Sequence, residues 1–535
     1  MNAIVEELLA GDRRQTGNAD MMLQLAEWAA SSYARFDRVA VDRVVKAASE
    51  AAFALAGSLA EAAVKETGFG VAEHKKIKNE ICSKGIYEAY RAQDFCSKRI
   101  LADQKIVELP RAAGVVFALA PSTNPVCTIY FKVLLALMTR NAVIVSPHPM
   151  AKKCSVEAVL AMAKAAEQAG APSGLVQVVA EPNLPLIDHI MKSPRVAVIL
   201  ATGGTPMVRA AYSSGNPAIG VGPGNAPAFV DASADLNAAA KRIIQSKSFD
   251  NSILCTNESV VVAEESVADK LLQALSRAGA YVAKEDEVDD LRNYLFGLGS
   301  FNIDALGKSA TEIATRVGLK VPSSTKIILA PIGRVGIDEA LSKEKLCPVL
   351  GFVRVPHVHA GISTARALIR MSGAGHSAAI HSNTPANILA YASAVKALRV
   401  VVNAPCSQGA AGFGTHLAPS FTIGTGFFGR SSVGENIGPQ HLVNWTRIAY
   451  SDEANEAFGD FSGLESWNNQ PMLPVGREAP MTIGRLQEGA ERADESLFAQ
   501  PGGGIIDDEI AAMREEIRRI VLEELRSALR KPGGK

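Results

Sequence analysis

A thiol, an amide and two glycine-rich turns are the parts of this sequence best suited to chemistry on a carbonyl. Cys255 lies in SFDNSILCTNE, residues 248 to 258, between a polar loop and an apolar strand. A side chain placed there reaches a cleft, and a cysteine needs only partial ionisation to attack a carbonyl. A small buried core residue fits the same local sequence. Asn124, in LAPSTNPVCT, follows a strand end and precedes a helix with Pro125 at its first position. Its amide could donate to an oxyanion formed on a carbonyl under attack. Simple N-capping, which asparagine does well, is the better local reading.

The two glycine-rich turns suit a ligand's phosphate or nicotinamide end. In VAVILATGGTPMVRAAYSSG a short strand ends in Thr202, Gly203 and Gly204, and a helix follows with Thr205 as N-cap and Pro206 at its first position. Free backbone N–H groups at such a start attract anions, and glycine allows close approach. A plain strand-to-helix turn uses the same residues. In AIGVGPGNAP the spacing of Gly220, Gly222 and Gly224 imitates a dinucleotide fingerprint, but Ala228-Phe229-Val230 reads as a strand where a helix is needed. The stretch is better taken as a backbone wall beside a ligand. His357 with His359, and His376 with His381, lack a carboxylate or cysteine set at metal spacing, so no metal is expected.

These residues need a scaffold, and the hydrophobic pattern describes one. About residues 20 to 104 read as helices, as in VDRVVKAASEAAFALAGSLAEAAV. After Pro110, strands at Val115–Leu119, Ala142–Ser146, Leu175–Val179 and Ala197–Leu200 alternate with helices such as Val126–Met138 and Lys153–Gln168. A second alternation starts near Ser233, with strands at Ser259–Ala263, Lys326–Leu329, Phe352–Val355, Ala378–His381 and Val400–Asn403. Alternation of this kind predicts α/β units with parallel sheets, here two lobes with a cleft between them.

The C-terminal region differs. Pro471 to Gly504 is rich in proline, glycine and charge and reads as a linker. Beyond it Ile506, Ile510, Met513, Ile517, Val521, Leu525 and Leu529 form one apolar stripe on a charged helix. That helix either packs on its own fold or docks in a groove of another protein. A short IVEELLA near the N-terminus is a weaker docking candidate, stopped by Gly11.

The composition narrows the possible partners. The chain has 535 residues, and 55 Lys and Arg balance 55 Asp and Glu, so nucleic acid is not the expected partner. Seven cysteines without a C-x-x-C pair read as reduced thiols; Cys82, Cys96, Cys127, Cys154, Cys347 and Cys406 are expected to be buried core residues. The longest apolar run, Phe131 to Val145, is broken by Arg140 and Asn141, so no membrane span is expected. Acidic residues in MNAIVEELLAGDRRQTG do not suit a secretory signal, and a cytoplasmic location is expected.

Taken in order, Asn124, Thr202-Gly203-Gly204, Gly220–Asn225 and Cys255 closely resemble the aldehyde dehydrogenase superfamily, specifically its CoA-acylating acetaldehyde and propionaldehyde branch. The resemblance spans about residues 20 to 470 and includes RNAVIVSPHPMAKK, EKLCPVLGF, GAGHSAAIHS, VNAPCSQGAAG and PSFTIGTGFFGRSSVGENIGP. It implies Cys255 as nucleophile and Asn124, with the Cys255 N–H, as oxyanion hole. It places Glu344 on the nicotinamide ribose, Thr202, Gly203 and Gly204 at the nicotinamide end, and Pro147 and His148 at the adenosine end. Pro121, Ser122, Thr123, Ser146, Val221, Gly222 and Leu346 fall along the same cofactor path.

The implied architecture is an N-terminal extension (1–19), an NAD- and CoA-binding α/β domain (20–232), a catalytic α/β domain (233–428) and a return to the first domain (429–470). An oligomerising β-arm comes from 104–112 and the segment after Arg430. The linker (471–504) and docking helix (505–535) complete it. The implied reaction oxidises a short aldehyde, propionaldehyde first and acetaldehyde next, to acyl-CoA with NAD⁺. Sulfoacetaldehyde, or a non-acylating reaction, is the alternative. A homodimer or homotetramer is implied, as is docking of the terminal helix on a bacterial microcompartment shell or cargo protein.

Two departures from hydrolytic relatives sharpen this. Their E-L-G-G-K stretch, whose glutamate activates water, is matched here by Gly220-Val221-Gly222-Pro223-Gly224. Ser146 stands where they carry the lysine of K-P-S-E. Loss of the water-activating carboxylate suits delivery of the acyl group to a thiol.

Overall fold

The computed structural model describes residues 2–453 and 455–464, with side chains from residue 17 onward. The expected linker and terminal helix lie outside the described residues. The fold is mixed α/β, as the two alternations predict.

The first sheet has five parallel strands in the spatial order Val176–Val178, Ala142–Ser146, Val115–Leu119, Val196–Ala201 and Ala218–Gly220. Strands buried on both faces read as continuous apolar runs, and VVFAL and AVIVS are of this kind. The chain builds outward from Val115–Leu119 to one edge, then returns to build on the other side. The crevice between Val115–Leu119 and Val196–Ala201 is therefore the topological switch point, where open α/β sheets bind ligands at the strands' carboxyl ends. Lys132, fully buried on helix Pro125–Met138, fastens that point. Its Nζ donates to Leu119 O at 2.7 Å and Leu200 O at 2.8 Å, one carbonyl from each strand.

The second sheet has seven parallel strands, ordered Ala280–Val282, Ile327–Pro331, Val349–Val355, Glu258–Glu264, Ala226–Val230, Ser377–His381 and Arg399–Val402. Ala226–Val230 lies inside this sheet, paired with Glu258–Glu264 and Ser377–His381. The expected boundary at residue 232 therefore moves back to the turn between Gly220 and Ala226. The glycine-rich wall is itself the crossing between lobes.

A third sheet is antiparallel: Arg99–Leu101, Ile106–Ala112 and Val443–Ala449. Its strands Ile106–Ala112 and Val443–Ala449 fall in the segments assigned to the β-arm, and Arg99–Leu101 lies outside them. Ile437 and Leu442, on the chain's way back to it, are buried in the first lobe's core.

Two local expectations are corrected. A single helix, Asn2–Tyr33, runs through Gly11, so residues 1–19 are not a separate extension. An interior glycine costs only about 1 kcal/mol of helix stability, which does not stop a helix of this length. Helix Thr205–Tyr212 is capped by Gly204 rather than Thr205, which puts Pro206 at the second helical position. Among the described residues no single helix is long and apolar enough to cross a membrane.

Candidate active site

The segment carrying Cys255 is held in an unusual backbone conformation. Asp250, Asn251 and Ser252 have φ of 50°, 51° and 63°, three consecutive non-glycine residues in the left-handed region. Each such residue costs on the order of 1–3 kcal/mol and persists only where its surroundings fix it. They are fixed here. Asp250 Oδ1 accepts from Val71 N at 2.7 Å, Asp250 N donates to His74 Nδ1 at 2.9 Å, and Asn251 Nδ2 donates to Gly307 O at 2.9 Å. On the far side of Cys255, buried Asn257 donates to Ser252 O at 2.9 Å and to Leu254 O, and its Oδ1 accepts from buried Lys247 at 2.7 Å. The loop therefore delivers a half-buried Cys255 to the cleft from a braced base.

The other six cysteines are free thiols; five are buried, and Cys96 is half-buried. Burial first, and the Glu344 carboxylate second, push the Cys255 thiol up to about 12, while its own backbone N–H and Arg399 pull the other way. Glu344 accepts from Gly224 N at 3.1 Å through Oε1, and burial lifts its carboxyl to about 7. Gly224 is required by close approach: a Cβ there would sit 1.9 Å from Cys255 O and 3.1 Å from Glu344 Oε1.

Asn124 is placed as an N-cap but does not act as one. It occupies the N-cap position of helix Pro125–Met138, yet its side chain makes no capping hydrogen bond. Nδ2 instead points across to the cysteine loop, donating to Ile253 O at 3.4 Å, while Oδ1 accepts from Lys78.

Cys255 and Asn124 line one cavity of about 360 Å³ at the switch point. Pro121, Ser122, Thr123, His148, Thr202, Gly203, Gly204, Val221, Gly222, Glu344 and Leu346 line it as well. Ser146 and Pro147 do not; both are buried beneath the rim at the end of their strand. Thr205 and Pro223, named above only for their turns, also line it, and residues not singled out from the sequence add to the wall: Ile253, Thr256, Phe421 and Ile423. The last two fall in PSFTIGTGFFGR, where the motif was visible but the individual side chains facing the cleft were not. His376 and His381 are buried in the second lobe, outside this cavity.

The aldehyde dehydrogenase family model matches residues 6–291. The acetylating succinate-semialdehyde dehydrogenase of Clostridium kluyveri is 36% identical over 433 residues, 80% of this chain and 95% of that protein. The solved acetylating aldehyde dehydrogenase of Geobacillus thermoglucosidasius superposes with a TM-score of 0.81 at 36% identity, covering 83% of this chain and 99% of that one. A propionaldehyde dehydrogenase from the Clostridium phytofermentans fucose utilisation bacterial microcompartment gives a TM-score of 0.74 at 28% identity, over 81% of this chain and 98% of that one. The chain spans about half the length of the aldehyde-alcohol dehydrogenases it also matches, from Clostridium acetobutylicum and Escherichia coli. With matches of this extent, the chain belongs to the aldehyde dehydrogenase family.

Proposed function

We propose that this protein is a CoA-acylating aldehyde dehydrogenase that oxidises a short neutral aldehyde to its acyl-CoA with NAD⁺. The observation that carries the reading is the Asn124 side chain, which leaves its helix uncapped and turns to the Cys255 loop in the same cavity. Support for NAD⁺ comes from Gly203 and Gly204, which carry no side chain at the start of helix Thr205–Tyr212, and from Glu344, which lines the same cavity. When bound, NAD⁺ supplies the acceptor for the hydride.

The protein's own residues do the rest. Cys255 Sγ, on losing its proton, bonds to the aldehyde carbon, and the carbonyl electrons move to an oxygen stabilised by Asn124 Nδ2. Loss of hydride from that carbon restores the carbonyl as a thioester on Cys255. The CoA thiolate then adds to the thioester, and Cys255 leaves as its thiolate. Nothing stands ready to activate water from residue 220. A Cβ there would meet Val208 Cγ1 at 2.6 Å and Tyr212 Cε2 at 2.7 Å, so the glutamate of hydrolytic relatives has no room.

Substrate size and charge follow from the wall. Among the described residues no lysine or arginine lines the cavity, and Ile253, Phe421 and Ile423 give it an apolar side. A neutral chain such as propionaldehyde, with acetaldehyde next, suits that surface. A succinate or sulfonate terminus would be left without a cationic partner. With NAD⁺ and propionaldehyde but no CoA, NADH formation should stop at about one equivalent per Cys255. Adding CoA should restore turnover, and succinate semialdehyde and sulfoacetaldehyde should be poorer substrates by kcat/KM. Sustained carboxylic acid formation without CoA would overturn the acylating assignment.

The exposed Ile100 and Ile448 on the antiparallel sheet support a homodimer or homotetramer formed through that arm. The apolar stripe from Ile506 to Leu529, with the microcompartment enzyme among the structural neighbours, supports a terminal helix that docks on a shell or cargo protein. Truncation after Gln500 should preserve specific activity while abolishing co-purification with shell proteins. Loss of folding on truncation would instead make the helix part of the enzyme's own packing.

A further inference from the structure

Behind Asn124 lies a buried cationic cluster that the reaction described above does not use. Helix Ala72–Glu80 reads AEHKKIKNE, a polar sequence, yet Lys75 and Lys78 are only 3% and 2% exposed. Three residues apart, they share one helix face. Lys78 Nζ pairs with Asp250 Oδ2 and also donates to Asn124 Oδ1. Lys75 Nζ reaches the same Asp250 oxygen at 3.1 Å and donates to Thr123 O at 3.1 Å. Asn79, the residue after Lys78, donates to Ala56 O at 2.9 Å and holds the helix in place. Burial would raise the Asp250 carboxyl, but Lys78 and then Lys75 hold it below the usual carboxylate range.

The chemistry of the donor settles which way the asparagine amide faces. An ammonium has three donors and no acceptor. A group that meets Lys78 must therefore present oxygen, and the Asn124 NH₂ is turned the other way, toward Ile253 and the cleft. Without Lys78 the amide could rotate half a turn and offer a carbonyl oxygen to the developing oxyanion. That would be repulsive where stabilisation is needed. Asp250 joins this arrangement to the nucleophile, because it is the first of the three left-handed residues leading to Cys255.

We infer that Lys78 is a positioning residue for the oxyanion hole: through its contacts with Asn124 Oδ1 and Asp250 it fixes the amide with its NH₂ toward the reacting carbonyl, in register with the Cys255 loop. The inference rests on the proposed acylating dehydrogenase reaction. Lys75 acts on the same carboxylate but not on the amide, so it is a natural comparison.

A double-mutant cycle tests it in the full-length enzyme. Steady-state NADH formation with propionaldehyde and CoA is measured for Lys78→Met, Asn124→Ala and the double variant, with Lys75→Met beside them. Lys78→Met should lower kcat about 10- to 100-fold, because an oxyanion donor is worth roughly 10²–10³-fold and is misdirected rather than deleted. KM should change little. In the Asn124→Ala background the same substitution should cost no more than about threefold further, since residues acting through one another are not additive. Lys75→Met should lose less than Lys78→Met. Alkylation of Cys255 by iodoacetamide needs no oxyanion hole, so its rate should stay within about twofold of wild type in Lys78→Met.

Multiplicative losses in the double variant, or a matching fall in alkylation, would overturn the positioning role and leave a merely structural one. Should Lys78→Met not fold, Lys78→Gln keeps a hydrogen-bond donor for Asp250, which stays paired with Lys75, but its amide can present oxygen as well as N–H to Asn124 and so no longer fixes that side chain. The same cycle with Asn124→Ala is then read. Wild-type enzyme that forms no NADH with any short aldehyde and CoA would instead defeat the functional reading itself, before any variant is compared.

Discussion

Replacing Cys255 by alanine is expected to lower kcat by about 10⁴- to 10⁶-fold, the scale on which loss of a covalent nucleophile is felt. Among the described residues Cys255 is the one thiol that lines the cavity. Thr256 is adjacent but buried and donates its hydroxyl to Ser407 O at 2.7 Å. NADH formation with saturating propionaldehyde and CoA measures the loss, and intact mass shows whether an acyl adduct forms. Wild-type enzyme given aldehyde and NAD⁺ without CoA should gain one acyl group, and Cys255→Ala none. More than a hundredth of wild-type turnover in the variant would sink the assignment.

The thiol's surroundings add a pH dependence to this result. Burial and Glu344 place it at about 12 in the free cleft, so it is overwhelmingly protonated near neutrality. Alkylation of the free enzyme should be slow at pH 7 and rise about tenfold per pH unit until the thiol ionises. A positive nicotinamide ring would counter the Glu344 carboxylate, so NAD⁺ should quicken alkylation. A rate flat from pH 7 to 9 would contradict the raised value.

Asn124→Ala is the second large effect. Removing one oxyanion donor costs about 2.7–4 kcal/mol of transition-state stabilisation, or roughly 10²–10³-fold in kcat. Little stability should be lost with it, because the side chain provides no cap to helix Pro125–Met138 and Lys78, on losing its amide acceptor, keeps its pair with Asp250. The melting temperature is therefore the control. An unchanged Tm with kcat reduced on this scale separates a catalytic amide from a structural one. Wild-type turnover in this variant would refute its role.

The fold was largely legible because two-sided burial leaves a mark on composition. VVFAL, AVIVS and the alternation around them announce parallel strands without further help. The crossing between lobes was less legible. Ala226–Val230 looks the same in either sheet, and only its pairing with Ser377–His381, some 150 residues away, decides where it belongs. The site divides in the same way. The order of motifs singles out Cys255 from seven thiols, whereas the eleven residues from 248 to 258 allow a core cysteine equally well. Asn124 carries the sequence of an N-cap and the backbone position of one; the side chain's departure depends on Lys78, 46 residues earlier. Lys75 and Lys78 were the least visible. Lysines on a polar helix read as solvated, and nothing local shows that they are buried against an aspartate more than 170 residues away.

The antiparallel sheet has a consequence for how the chain is made. Ile106–Ala112 takes Val443–Ala449 as one of its two neighbours, through a ladder running from Ala112 with Val443 to Ile106 with Ala449. On a ribosome, the first of these strands emerges more than 300 residues before the second. For that whole interval one side of Ile106–Ala112 is an open row of backbone donors and acceptors, next to the lobe whose sheet is already completable. Synthesis therefore holds a sticky edge exposed until Val443–Ala449 is translated. Conditions that stall translation before residue 443 should make this arm the place where nascent chains first adhere to one another.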